Sequence, residues 1–357
     1  MVRVRRRPSE DAPALRNEGA RPGRLRRPAA VALRVGGLVL AVGCLVWVVL
    51  PLRGRLDEIG ELVDLGGLWQ WLALAALAHA ALNTLVASGW WWLAGIYGRR
   101  PSFATGYTVY ALSRLMKYLP GNLFHYFGRQ VLGVRAGLSH EALVASAVIE
   151  MGALIAAAAG ATLLALGLRG GDLMAGGALV LAGAILVLLG WPAFDRIARR
   201  LPWLTRRMEG QPPVALADLP RLYAPTLACY LAFFLGAGAV LLALCVTISR
   251  QPISDPWAIV GLYPAAWIAG TVALGAPAGL GVREAVLGLG LAPQVGPATA
   301  AVLALSLRVV TLVADLLTAA AGWWVRSRQQ AAATASAGTD AHPAEPVAGT
   351  APGGGAT

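Results

Sequence analysis

A chain of 357 residues that is 57% hydrophobic and only 13% charged, with mean hydropathy +0.63, cannot keep that much apolar surface out of water as a soluble domain. Its net charge of +12 and pI near 10.6 do not indicate nucleic acid, because the arginines gather in the first 34 residues, from Arg196 to Arg207, and at Arg326 and Arg328. Those are flanks of apolar runs, where basic residues mark the cytoplasmic side and face anionic lipid headgroups.

The first predicted element is a basic arm, residues 1–28. No small-residue cleavage site closes the apolar stretch behind it, so it reads as retained rather than as a signal peptide. Spans are predicted over about Ala29 to Leu50, with Arg34 snorkelling toward the cytoplasm, and over about Trp69 to Tyr97. Trp69, Trp71, Trp90, Trp91 and Trp92 bracket the second as an aromatic girdle, and Arg99 and Arg100 mark its cytoplasmic end. Further spans follow over about Ala142 to Leu168, Ala175 to Trp191, Leu222 to Ile248, Pro256 to Leu274 and Ala298 to Trp324. Residues 329–357 are poor in bulky apolar side chains and read as a disordered tail. Cys44, Cys229 and Cys245 sit inside apolar runs and read as small core hydrophobes, without disulfide or metal spacing.

Two polar breaks interrupt this pattern: Arg114-Leu-Met-Lys-Tyr-Leu-Pro-Gly121 and Pro277-Ala-Gly-Leu-Gly-Val-Arg-Glu284. Each sets cations beside helix-breaking Pro and Gly at apparent membrane depth. Charge there costs about 2.5 kcal/mol per group at the lowest estimates, so both breaks point to function. Between Arg99/Arg100 and the Arg196 to Arg207 cluster the number of crossings must be even, which makes residues 102–139 a re-entrant hairpin rather than two full spans. Residues 275–293 must cross once if the tail is cytoplasmic, although their length and glycines favour re-entry; both alternatives stand. A broken hairpin in each half is the pattern of inverted-repeat transporters, yet the halves show no clear residue-level repeat.

Arg114 and Lys117 share a helix face at i, i+3 spacing, with Tyr118 beside them, and such a face can grip a phosphate. Lys117 is the single lysine of the chain. Asn122, His125, Tyr126 and Arg129 follow on the return arm. Glu150, inside the next span, requires a buried cation, with Arg114 or Arg129 the nearest candidates; proton coupling is the sharper alternative. In the second break, Gly275, Gly279 and Gly281 free the backbone, and Arg283 and Glu284 open a new helix whose exposed amides suit an anion. Arg283 and Glu284 point in different directions and so serve different partners. Arg308 and Asp315, at i, i+7, share one face and pair either with each other or with the hairpins. His79 and Asn83 read as groups that hydrogen-bond between helices.

These residues resemble a known family. Arg114-Leu-Met-Lys-Tyr-Leu-Pro-Gly121, then Gly137-Leu-Ser139 and Glu150, and finally Pro277-Ala-Gly-Leu-Gly-Val-Arg-Glu284, look like the two signatures of the lysylphosphatidylglycerol synthase transmembrane-region (flippase-like) family. The resemblance covers about residues 29–328. It implies a lipid-handling membrane domain without the soluble aminoacyltransferase domain, so aminoacyl transfer is not expected of this chain. By motif position it carries over Arg114, Lys117, Tyr118, Gly121, Glu150, Gly281, Arg283 and Glu284. Ala278 departs from it, since many relatives have glycine there.

The sequence therefore predicts an all-α polytopic membrane protein of about seven to eight transmembrane helices plus two re-entrant or broken hairpins. It is expected in a bacterial inner membrane with a cytoplasmic N-terminus. The expected function is translocation of a phosphate-bearing amphipathic lipid, anionic or polyprenyl-linked, with Arg114, Lys117, Tyr118, Gly121, Arg129, Glu150, Gly281, Arg283 and Glu284 lining its site. No cofactor, metal or nucleic acid is expected, and a separate lipid-modifying enzyme is a candidate partner. The rival is a membrane glycosyltransferase using a polyprenyl-phosphate donor, resting on Asp57 and Glu58, which read equally as part of an amphipathic surface helix. A third reading is a non-transporting subunit that presents lipid to an enzyme.

Overall fold

A computed structural model describes residues 46, 67–95, 100–118, 124–170, 174, 177, 219–273 and 277–339. Among them all regular structure is helical, in the order α1 (Leu68–Leu93), α2 (Phe103–Arg114), a 3-10 turn (Leu115–Tyr118), α3 (Phe124–Arg135), α4 (His140–Arg169), α5 (Leu219–Ser249), α6 (Pro256–Val272), a 3-10 turn (Pro277–Gly279), α7 (Val282–Val295) and α8 (Pro297–Thr339). Apart from residues 46 and 177, the spans expected at residues 29–50 and 175–191 lie outside the described residues, as do the acidic pair Asp57 and Glu58 and the Pro120-Gly121 step.

Length separates the helices into two kinds. α1, α4, α5 and α8, at 26, 30, 31 and 43 residues, are long and apolar enough to cross a bilayer. α2 and α3 have 12 residues each and α7 has 14, so at about 1.5 Å per residue none reaches across a hydrocarbon core of about 30 Å. These short helices fold as hairpins. In the first, Arg129 on α3 lies over the ring of Tyr110 on α2, and Gly128 lies against Met116, so α2 and α3 pack as the two arms of a hairpin. In the second, Gln294 bonds the backbone of Asp255, Gly290 lies against Leu262, and Arg283 against Gly270. α6 and α7 are therefore antiparallel arms of one hairpin. The segment Pro256 to Leu274, expected as a crossing of its own, is instead the 17-residue inbound arm of this hairpin. Its composition is as apolar as any span; only length and partner distinguish it.

Local chemistry sets where these helices start. Ser102 and Ser139 accept the amides of Thr105 and Ala142 at 3.2 Å, and Asp255 accepts that of Ala258 at 2.9 Å ahead of Pro256. Each satisfies a donor that a helix start otherwise leaves unpaired. At the other end of the chain α8 runs past the Arg328 boundary to Thr339. Alanine-rich sequence lacks the bulk to pack but has the highest helix propensity, and composition reported only the first property.

The two hairpins dock on α8 from opposite ends. Thr105 meets Gln329, Thr108 meets the Gly322 carbonyl, and Arg114 meets Asp315, so α2 runs antiparallel to α8 from its C-terminal end toward its middle. α7 carries Glu284 of its first turn beside Arg308 and is capped at Gly296, directly before α8 begins. The hairpin tips thus abut at mid-helix, where the two 3-10 turns touch and Arg308 lies 5.9 Å from the Tyr118 ring.

An inverted repeat follows. α1 through α4 and α5 through α8 are each a long helix, a broken hairpin and a long helix. α1 and α5 cross antiparallel, with Leu82 against Gly236 and Gly89 against Tyr230. The inbound arm of each hairpin packs on the last helix of the other half, α2 on α8 and α6 on α4. Likewise α1 packs on α8 as α5 does on α4. The core between the halves is built from Trp90, Leu143, Tyr230, Phe234, Leu241 and Leu303, all fully buried.

Candidate functional site

The residues singled out in the two breaks gather at the tips, in three charge clusters. The first surrounds Asp315 of α8, which is 1% exposed. Arg114 Nε donates to Asp315 Oδ1 at 2.5 Å, Lys117 Nζ lies 2.5 Å from Oδ2, and the Tyr118 hydroxyl donates to Oδ2 at 2.5 Å. The 3-10 turn makes this convergence possible, because i and i+3 side chains eclipse there instead of lying offset as on an α-helix. Asn83 of α1 completes the cluster: its Oδ1 accepts from Arg114 Nη2 at 2.7 Å and its amide donates to Thr318 Oγ1 at 3.0 Å. One carboxylate thus serves two cations and a phenol.

The second cluster is a caged ion pair. Arg129 of α3 donates to Glu150 of α4, both buried. The guanidinium lies 4.4 Å from the Tyr110 ring centroid, 4.9 Å from that of Trp90 and 5.4 Å from that of Tyr126, a cation–π cage on three sides. Trp90 belongs to this core rather than to the interfacial girdle expected of it: it is 0% exposed and donates to Ser146 Oγ at 3.2 Å. Trp69 and Trp71, at the other end of α1, are exposed.

The third cluster is at the second tip. Glu284 accepts the Gly281 amide at 2.7 Å and lies 3.5 Å from Arg308, which also donates to the Ala278 carbonyl at 3.3 Å. The amide expected to be open to an anion is therefore taken by the helix's own carboxylate. Gly281, at φ 83°, and Gly279, at φ 68°, occupy backbone conformations that glycine adopts without strain, and Ala278 adopts one, φ 51°, that alanine does not. Arg283 has a different environment from Glu284. Its guanidinium lies 5.7 Å from the Trp267 ring, and its buried Nε has no hydrogen-bond partner among the described residues.

A cleft opens beside it, lined by Tyr263 and Trp267 of α6, Arg283, Glu284 and Leu287 of α7, and Arg308 and Thr311 of α8, among others. Arg308 and Asp315 do not pair with each other; each serves the hairpin nearest to it. Glu150 takes Arg129, not Arg114. Gly121 lies outside the described residues. Tyr263, Trp267 and Thr311 were not legible as site residues, since inside an apolar helix they look like ordinary core. Polar tips on two half-crossing hairpins, meeting midway along a spanning helix, are an arrangement that ordinary helix packing does not require.

Residues 34–319 match the family model described as lysylphosphatidylglycerol synthase TM region. The chain belongs to this family. No match was found among curated proteins or among solved structures. Both stretches that resemble signatures of the lysylphosphatidylglycerol synthase TM-region family fall within the matched range. Their described residues form the two hairpin tips, and the polar side chains concentrate where the tips touch.

Proposed function

We propose that this membrane protein translocates a phosphate-bearing amphipathic lipid, whose headgroup enters the cleft beside Arg283 and Arg308 while its chains remain among the apolar walls. One observation carries the reading: in a cleft where two half-crossing hairpins meet, Arg308 pairs with Glu284 while Arg283 has no carboxylate within salt-bridge distance among the described residues. Cations left short of partners at membrane depth are expensive, and an anionic ligand relieves that cost as it relieves its own desolvation. Arg114 and Lys117 contribute behind this first contact, since Asp315 already engages them.

The inverted repeat supplies a means of movement, because rocking one half against the other exposes a fixed central site to each side in turn. On this reading the basic arm and the C-terminal arginines are cytoplasmic, and the first hairpin enters from the cytoplasmic face of a bacterial inner membrane. Counting α6 and α7 as one hairpin leaves an even number of crossings between Arg207 and Arg326, as that orientation requires.

Native mass spectrometry of the purified protein with co-isolated lipid tests this. A specific phosphate-bearing lipid retained by wild type and lost from Arg283→Ala supports it; equal, unselective lipid in both overturns it.

A further inference from the structure

The fixed charges at the tips do not balance. Asp315 is shared by Arg114 and Lys117, Glu150 is matched by Arg129, and Glu284 by Arg308, while among the described residues no carboxylate lies within salt-bridge distance of Arg283. Among the described residues, then, two positive charges lack a fixed counter-ion, one in the Asp315 cluster and one at Arg283. The two places adjoin, since Arg308, which lines the same cleft as Arg283, lies 5.9 Å from the ring of Tyr118, whose hydroxyl bonds Asp315. The other titratable groups facing the tips, His79, Tyr118 and Tyr263, are counted as neutral.

Resting on the lipid-translocation reading above, we infer that the site selects a headgroup carrying two negative charges, a terminal phosphate monoester or a diphosphate, over a phosphodiester carrying one. A single charge would compensate either Arg283 or the Asp315 cluster and leave the other cation unmatched in a poorly screened interior. Opposite charges attract far more strongly there than in water, so the second charge counts heavily. Hydrogen bonding points the same way. The Arg283 guanidinium offers a fork of donors whose Nε is unpartnered, suited to two oxygens of one group. A terminal monoester phosphate presents three free oxygens and a diester two. The walls of Trp267, Leu287 and Leu307 leave the rest of the cleft apolar, as lipid chains require.

The experiment uses the full chain in mild detergent with equimolar dioleoyl phosphatidic acid and dioleoyl phosphatidylglycerol, which share their chains and differ as monoester and diester. Retained lipid is read by native mass spectrometry at pH about 8 and pH about 5, on either side of a monoester's second ionisation near 6. Phosphatidic acid should exceed phosphatidylglycerol by about tenfold or more at the higher pH, and the preference should shrink to within about threefold at the lower. Equal retention at both pH values overturns the charge inference. If Arg283→Ala then lowers both lipids, the headgroup site itself survives; if the variant retains both as wild type does, the translocation reading fails with it. Displacement of phosphatidic acid by inorganic phosphate at the same concentration identifies free phosphate as the ligand and overturns the lipid assignment. The wild-type pH comparison stands even if the variant does not fold.

Discussion

Arg114 and Asp315, 201 positions apart in the chain, meet at 2.5 Å and tie the tip of the first hairpin to the middle of the last helix. No other carboxylate lies within salt-bridge distance of Arg114 or Lys117 among the described residues. Replacing Asp315 with Ala leaves two half-buried cations and the Tyr118 phenol without their acceptor. The expected loss is about 3–5 kcal/mol, read as a marked drop in the thermal unfolding midpoint in detergent. An unchanged midpoint would show that the cluster contributes nothing to holding the tips together.

Arg129 and Glu150 behave differently, because the aromatic cage of Tyr110, Trp90 and Tyr126 gives the guanidinium a favourable setting besides its carboxylate. Glu150→Gln should destabilise the protein by about 3 kcal/mol, whereas Glu150→Gln combined with Arg129→Met should recover most of that loss. A double variant as unstable as the single one would mean the pair has a role beyond mutual compensation, such as carrying a proton.

The second tip stores backbone strain at one position. Alanine at φ 51° costs about 1–2 kcal/mol relative to the right-handed region, while glycine gives back about 0.5–1 kcal/mol in unfolded-chain entropy. Ala278→Gly should therefore raise stability by up to about 1 kcal/mol in chemical or thermal unfolding.

One residue on, the sign reverses. A Cβ at Gly279 would stand 2.8 Å from Gly270 Cα and 2.9 Å from its carbonyl oxygen, on top of an unfavourable φ of 68°. Gly279→Ala should cost about 1–3 kcal/mol and loosen the α6–α7 hairpin, seen as faster amide exchange in Val282–Val295. Equal stability of the two variants would remove the case for close backbone approach at this tip.

Much of this was legible from the residues. Hydropathy located the spanning helices, and the Pro and Gly breaks located the tips, because polar side chains at membrane depth are rare enough to stand out. Three things were not legible. Pro256 to Leu274 carries the composition of a span, and its place as a hairpin arm depends on contacts such as Leu262 with Gly290 that no local pattern encodes. The pairing of Arg308 and Asp315 with opposite hairpins rather than each other depends on where two distant tips meet. The inverted repeat is carried by which helices pack together, so it persists without matching side chains. Trp90 shows the same limit, since a tryptophan near the end of a span looks interfacial until an arginine is found stacked on it.

On the proposed function, Arg283 receives a lipid headgroup where the hairpins meet. Transbilayer movement of a fluorescent phosphatidic acid in vesicles containing the purified protein tests it most directly, with wild type compared against Arg283→Ala inserted in equal amount. Movement above protein-free vesicles for wild type, lost in the variant, is the predicted result; movement at the same rate in both would contradict the claim.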